Sequence, residues 1–331
     1  MSKSKWLMLS VGLFLAMLLL LTLSAQTSPT ASAAPVAQAS EYKIAYVPTQ
    51  VGQPVTDAWL TGMKRVFDQF QNVKVQAFDG QMKAEVQVSL LDDIINQKYS
   101  LIVLQPVDAT ALSASVQKAE KAGIPVITMN TAVVAKHTAS VQMADVEAGY
   151  AVGIAMGKQL NGKGNVAIIQ SPPGATLGVN REKGFRQALA EKYPDIKIVG
   201  AQNAEWDRNK AIAVMNAFLQ ANDKLDGVFA ANDNMAEGAM VAAESAGRLK
   251  DIKIWGANGQ KSTLDLIEQG KIAGTAYNNS FDQGSMAANL AMFLLTSKMG
   301  PSPAAKTGII KISPFAATKE TVGQIQPADR W

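Results

Sequence analysis

From Glu41 onward, apolar runs of about five to eight residues alternate with amphipathic stretches. The strand-like runs are KIAYV (43–47), VKVQAF (73–78), LIVLQ (101–105) and PVITMN (125–130). They resume at NVAIIQ (165–170), IKIVG (196–200), GVFAAN (227–232), IKIWGAN (252–258) and GTAYNN (274–279). Between them, Val86, Leu90 and Ile94 fall at i, i+4 and i+8, so the helical period sets them on one face. Ile212, Met215 and Leu219 repeat the pattern. Strands alternating with helices of roughly 10–15 residues predict βαβ units and parallel sheets covered on both faces. Turn chemistry agrees: Lys121–Pro125 and Lys183-Gly184 punctuate elements, and Asp108, Asp207 and Asp233 stand where helix N-caps belong.

The strands form two groups, near 43–130 and 165–279, each large enough for its own doubly wound sheet. No low-complexity linker separates them, and 136–146 (KHTASVQMADV) is the expected first crossing. A helix carrying Met286, Leu290, Phe293 and Leu294 then leads through Gly300-Pro301-Ser302-Pro303 to an apolar run, Ile309 to Phe315. Two lobes joined by short segments predict a hinge with a cleft between them.

The first forty residues differ from the rest. Lys3 and Lys5 precede an uncharged apolar run, Trp6 to Leu23, and a small-residue stretch follows with no charge before Glu41. That order is the pattern of a secretory signal, with Ala31-Ser32-Ala33 or Ala37-Gln38-Ala39 as cleavage sites. The run is also long enough for an uncleaved anchor. Either reading predicts an exported body, in the periplasm or on the outer face of the membrane.

Composition narrows the chemistry. The 331 residues contain no cysteine and one histidine, and 18% are charged, below the roughly 25% of an ordinary soluble protein. Disulfides, thiolate metal sites, Cys nucleophiles and acylated cysteines are excluded. His137 alone rules out multi-histidine metal sites, and a catalytic triad would have to use it, although it sits in a polar connector. The formal charge of +4 falls to +2 without Lys3 and Lys5, which supplies no basic stripe for nucleic acid. No cofactor or metal is expected.

Ligands of open α/β sheets bind beyond the carboxyl ends of the strands. Those positions hold Gln53, Gln105 and Asn130 in the first group, and Trp206, Asn232, Asn258 and Asn278 in the second. Each amide offers an acceptor and two donors without charge, which suits a sugar's vicinal hydroxyls, and an indole face packs on the C–H face of a sugar ring. Any one of these asparagines alone reads as a turn residue. Seven positions facing one cleft read as a surface for a small, neutral, hydroxyl-rich molecule. Trp59, one turn into the first helix, reads as packing or as a cleft residue, and Trp255 as core. The fourteen methionines read as core filler.

KAGIPVITMN (121–130), REKGF (181–185), AEWDRNKAIAVMNAFL (204–219), GVFAANDNMAEGAM (227–240) and IKIWGANG (252–259) resemble the ribose-type periplasmic sugar-binding proteins, the substrate-binding subunits of bacterial ABC sugar importers. The similarity runs from Tyr42 to about Val322 and includes the closing TKETV. Related transcriptional repressors share the ANDNMAEGA string, but the export segment and the lack of a helix-turn-helix before Tyr42 favour the binding proteins. The resemblance implies an α/β fold of the type I periplasmic binding proteins: two Rossmann-like, doubly wound parallel-sheet lobes joined by a three-segment hinge. Crossings are implied near Ala144, Asn279 and Ser313, giving an N-terminal lobe of 40–144 plus 279–312 and a C-terminal lobe of 145–278 plus 313–331, after an export segment of 1–39.

The family's ligand contacts carry over to Thr49, Gln53, Gln105, Asn130, Trp206, Asn232, Asn258 and Asn278. Members that hold ribose or glucose usually present Asp-Arg at Asn130-Thr131, Asp at Asn258, Arg at Val179 and aromatics at Val55 and Thr56. Two carboxylates and two guanidiniums are therefore missing together, which puts ribose in doubt and opens the way to an unusual monosaccharide, a polyol or an autoinducer-2-like furanose. Arg181 is read either as compensating for them or as part of a structural ion pair. The implied function is a non-enzymatic, monomeric solute-binding component that closes on its ligand and delivers it to an ABC permease. With no Gly-x-x-x-x-Gly-Lys-Ser/Thr loop in this chain, the ATPase is a separate subunit. A sensory role toward a chemoreceptor or histidine kinase is the alternative. An exported sugar-active enzyme is the more remote one, because the strand ends carry amides rather than an acid/base pair.

Overall fold

The computed structural model describes residues 41–297 and 307–331. The export segment, its cleavage sites and the Gly300–Pro303 turn lie outside the described residues. Five strands, β1 (Tyr42–Val47), β2 (Val73–Ala77), β3 (Leu101–Leu104), β4 (Val126–Met129) and β5 (Ala139–Met143), pair in parallel in the order β2-β1-β3-β4-β5. A second five, β6 (Lys163–Gln170), β7 (Asp195–Asn203), β8 (Gly227–Ala230), β9 (Lys253–Asn258) and β10 (Gly274–Tyr277), repeat that order as β7-β6-β8-β9-β10. Each sheet gains one late strand. β11 (Gly308–Ile312) joins β5 in parallel, and β12 (Phe315–Thr318) joins β10 antiparallel. The fold is two α/β lobes, each built on a doubly wound sheet.

The helices are α1 (Pro54–Phe67), α2 (Ala84–Asn96), α3 (Ser113–Lys121), α4 (Asp145–Gln159), α5 (Thr176–Lys192), α6 (Arg208–Ala221), α7 (Asp233–Ser245), α8 (Lys261–Glu268) and α9 (Ser280–Thr296). Every residue of β3 and β4 is buried, as continuous apolar runs require in a sheet covered on both faces. α9 follows a strand of the second sheet yet packs on α1, where a Cβ on Gly62 would lie 2.0 Å from the Phe281 carbonyl oxygen. Close backbone approach there depends on glycine. The chain leaves the first sheet after Met143, leaves the second after Tyr277, and steps between them once more from Ile312 to Phe315.

Several expectations are corrected. The 136–146 stretch contains β5, and the chain leaves the sheet only after it. The strand was illegible because its buried Ser140 breaks the apolar pattern, with Thr128 Oγ1 2.8 Å away as its partner. β12 departs from an all-parallel arrangement as an edge strand. The helix faces turn by about one residue: α2 buries Gln87, Leu91 and Ile94, and α6 buries Ala211, Met215 and Phe218. Asp108 closes a turn onto the Thr110 and Ala111 N–H groups, while α3 is entered from Leu112. Asp207 does cap α6, accepting from Lys210 N at 2.8 Å. His137 is buried, with Nε2 2.9 Å from Thr128 Oγ1 and Nδ1 2.9 Å from the Ala135 carbonyl. Burial holds its pKa below the usual histidine value. Trp255 is fully buried in the second lobe.

Candidate functional site

In a sheet of order 2-1-3-4-5, the switch point lies between the first and third strands. At the first of these, the Thr49 N–H and Oγ1 both donate to Gln105 Oε1, at 3.3 and 3.1 Å. Behind them the fully buried Gln87 of α2 donates to the Pro48 and Gln105 carbonyls at 3.1 and 2.8 Å and accepts from Val107 N at 2.8 Å. One side chain thus fastens the two strand ends that carry Thr49 and Gln105. Leu104 pairs with Thr128, so Gln105 and Asn130 stand at adjacent strand ends. Asn130 adopts φ +59°, a left-handed conformation that asparagine tolerates. Gln53 is exposed, with Nε2 3.4 Å from Gln50 Oε1.

In the second lobe, Asn232 is the N-cap of α7, its Oδ1 accepting from Met235 N at 2.9 Å. Asp233, expected as that cap, is the next residue and does something else. Its fully buried carboxylate accepts from Gly259 N, Gln260 N and Thr275 Oγ1 at 2.6, 2.8 and 2.6 Å, clasping the turn after Asn258. Burial pushes its pKa up to about 6 against those three donors. Asn258 itself lies at φ +132° and accepts from Arg181 at 3.2 Å.

Arg181 is a buried strut. It is 1% exposed, and its Nε donates to Asp145 Oδ1 at 2.9 Å, while NH1 donates to the Ala231 carbonyl at 2.8 Å as well as to Asn258. Those donors form the ion pair with Asp145 and bonds to Ala231 and Asn258 inside the protein. Burial raises the Asp145 carboxyl, and the guanidinium opposes part of the rise. Trp206 is half-buried at φ +63°, packed against the core of its lobe. Its ring edge would be 3.0 Å from a Cβ on Gly178.

Asn278 closes the set. It is 3% exposed, its N–H donates to the Asn258 carbonyl at 3.0 Å, and its Nδ2 donates to Gln283 Oε1 at 3.1 Å. Gln283, on the first turn of α9, also accepts from the Trp59 indole at 2.8 Å and donates to Asn130 Oδ1 at 2.9 Å. Trp59 is therefore a core residue, fully buried behind the site rather than facing a cleft. The structure brings Asn130, Asn278 and Asn258 into one chain of contacts and sets Asn232 beside Arg181's partner Ala231. A recess of about 180 Å³ is lined by Asn130 and Met143 on one side and by Asp145, Thr176 and Asn180 on the other. Asn278 lines another, of about 310 Å³, with Tyr277, Asp282 and Asp329. Gln105, Asn232, Asn258 and Trp206 line neither. Among the described residues, no cluster of three metal-binding side chains occurs.

Sequence reasoning missed Gln87 and Gln283. Both had a signal: each is the one long polar side chain on a buried helix face, among Leu91 and Ile94 in one case and Gly284, Ala287, Ala288 and Ala291 in the other.

A family model described as a periplasmic binding protein domain matches residues 44–299. The chain belongs to the periplasmic binding protein family. Among its relatives, the ribose import binding protein RbsB of Bacillus subtilis is 31% identical over 229 residues, covering 69% of this chain and 73% of that protein. The xylitol-binding protein of Mycolicibacterium smegmatis is 38% identical over 195 residues, or 58% of this chain, and the chain spans only 55% of that protein's length. An ABC transporter periplasmic solute binding protein from Actinobacillus succinogenes, solved with bound D-allose, superposes with a TM-score of 0.79 at 29% identity, covering 86% of this chain and 100% of that one. These periplasmic binding protein relatives are named for what they bind, which agrees with a binding protein rather than an enzyme.

Proposed function

We propose that this periplasmic binding protein is the exported solute-binding component of an ABC importer. It takes up a small neutral sugar or polyol between its lobes and delivers it to a membrane permease whose ATPase is a separate chain. The observation that carries the reading is the chemistry of the strand ends: Gln105, Asn130, Asn232, Asn258 and Asn278 are all amides, and the nearest guanidinium, Arg181, is bound within the protein. Uncharged donors and acceptors match hydroxyls, and the half-exposed Trp206 ring offers an apolar face for the C–H side of a carbon skeleton. The relatives named for xylitol and ribose, and the neighbour solved with D-allose, support the same ligand class. The ligand bridges both lobes and stabilises the closed form by contacts that the open form lacks.

Titration calorimetry with xylitol, D-ribose, D-allose and myo-inositol tests this. At least one probe binds the parent, and Trp206→Ala and Asn232→Ala each weaken it by at least about tenfold, equivalent to about 1.4 kcal/mol. Both variants binding like the parent would refute the site, and a parent that binds no member of the panel would refute the ligand class.

A further inference from the structure

We infer that Gln283 is a positioning residue that sets the hydrogen-bond polarity of the ligand site. The inference rests on the proposed sugar or polyol site and deepens it.

An amide's two ends look alike in shape but differ in chemistry, so what a ligand meets depends on which end faces it. Here the orientation follows from groups with no freedom. The Trp59 indole N–H can only donate, so the Gln283 atom facing it at 2.8 Å is the oxygen. The Gln283 nitrogen then points to the Val141 carbonyl at 3.3 Å and to Asn130 at 2.9 Å, and the atom of Asn130 it meets is the oxygen. Asn278 faces the Gln283 oxygen, so its nitrogen is turned inward and its oxygen outward. That oxygen is buried and has no partner within the protein. Asn130 is left presenting its NH2, and Asn278 its carbonyl.

A donor at the end of β4 and an acceptor at the end of β10 are thus held on one fully buried side chain, one from each sheet. They match a ligand hydroxyl pair in which one oxygen accepts and its neighbour donates. Elsewhere in the set, the oxygens of Gln105, Asn232 and Asn258 already accept from Thr49, Met235 and Arg181. Among the five, Asn278 is the amide whose oxygen is buried with no partner in the protein, and Gln283 holds it in that orientation.

Gln283→Glu separates positioning from mere structure. All hydrogen-bond partners of Gln283 are uncharged, and the neighbouring Asp282 is engaged by Asn279 Nδ2 at 2.8 Å. An ionised glutamate still accepts from Trp59 and Asn278 but cannot donate, so Asn130 must turn and show its oxygen to the ligand. A protonated glutamate donates again and restores the parent arrangement. Calorimetry with whichever panel probe binds the parent is run at about pH 9.5, above the range a buried glutamate reaches, and at about pH 5, with the parent as control at both. The variant is expected to bind at least about tenfold more weakly at the higher pH and to recover to within about threefold of the parent at the lower. Trp59→Phe, which keeps an aromatic ring in the core, gives up some buried volume and removes the N–H that orients Gln283, is expected to lower affinity at both pH values. Gln283→Glu matching the parent at the higher pH, or staying weak at both while its melting temperature is unchanged, overturns the inference. So does Trp59→Phe binding like the parent, should the glutamate variant not fold. A parent that binds no probe overturns the functional reading and the positioning role with it, whereas a binding parent with an indifferent variant removes only the latter.

Discussion

Asn258 sits at φ +132°, outside the regions that side chains ordinarily adopt, and the residues around it show what holds it there. Arg181 grips its side-chain oxygen, Asn278 donates to its carbonyl, and Asp233 takes the next two backbone N–H groups. Strain that is over-determined by its surroundings is a mark of a site. Asp233 also makes the clasp sensitive to pH. Its pKa is about 6 in the fold against an ordinary 3.8, so the native state keeps a proton that the unfolded chain has already lost. The carboxyl's contribution to stability is therefore fully present at and below about pH 4 and falls by roughly 1–3 kcal/mol as pH rises through about 6. Asp233→Asn removes that fall. Denaturant titrations of parent and variant from about pH 4 to 7 should show the parent's advantage shrinking as pH rises, and two parallel curves would contradict the assignment.

α4 and α5 carry the next scale up, because Asp145 and Arg181 lie on them, and Arg181 can pair with Asp145 and still reach Asn258 only if the helices sit very close. They do so through glycine: a Cβ on Gly149 would lie 1.7 Å from the Arg181 carbonyl oxygen, and one on Gly184 would lie 1.8 Å from that of Val146. Alanine at either position gains helix propensity of about 1 kcal/mol yet forces the backbones apart. Gly149→Ala and Gly184→Ala should each lower stability by about 1–3 kcal/mol in urea unfolding, and a stabilised variant would show that the helices have room. Other elements show how far a sequence can be read. Val86, Leu90 and Ile94 do make a helix, but its buried centre is Gln87, Leu91 and Ile94. A polar residue one position from the apolar stripe marks Gln87 only once that face is known to be buried, because its partners Pro48, Gln105 and Val107 lie far off in the chain.

For the whole molecule, what matters is that the chain passes between the sheets near Ala144, Asn279 and Ser313, and that the tail returns to the same region. The Trp331 indole donates to the Asn278 carbonyl at 3.0 Å, and Arg65 of α1 reaches the Ala328 carbonyl at 3.1 Å. Asn278 stands just before the second crossing, so a ligand engaging it as proposed would act where the lobes turn. If closure accompanies capture, small-angle scattering should record a smaller radius of gyration when a bound panel probe is added. An unchanged profile at saturation would leave binding in place and remove closure.

Hydrophobic periodicity and strand-end residues are local, and they are legible along the chain: two sets of strand–helix units, amides beyond the strand ends, and no cysteine or histidine cluster to support other chemistry. Long-range packing set the rest: the strand order, the antiparallel β12, the inward turn of Arg181 and Trp59, and the orientation of the Gln283, Asn130 and Asn278 amides. The two differ in separation along the chain. Trp59 orients Gln283 across 224 residues, and Gln283 orients Asn130 across 153. A pattern read in windows of a few turns contains no trace of a hydrogen bond made at that distance.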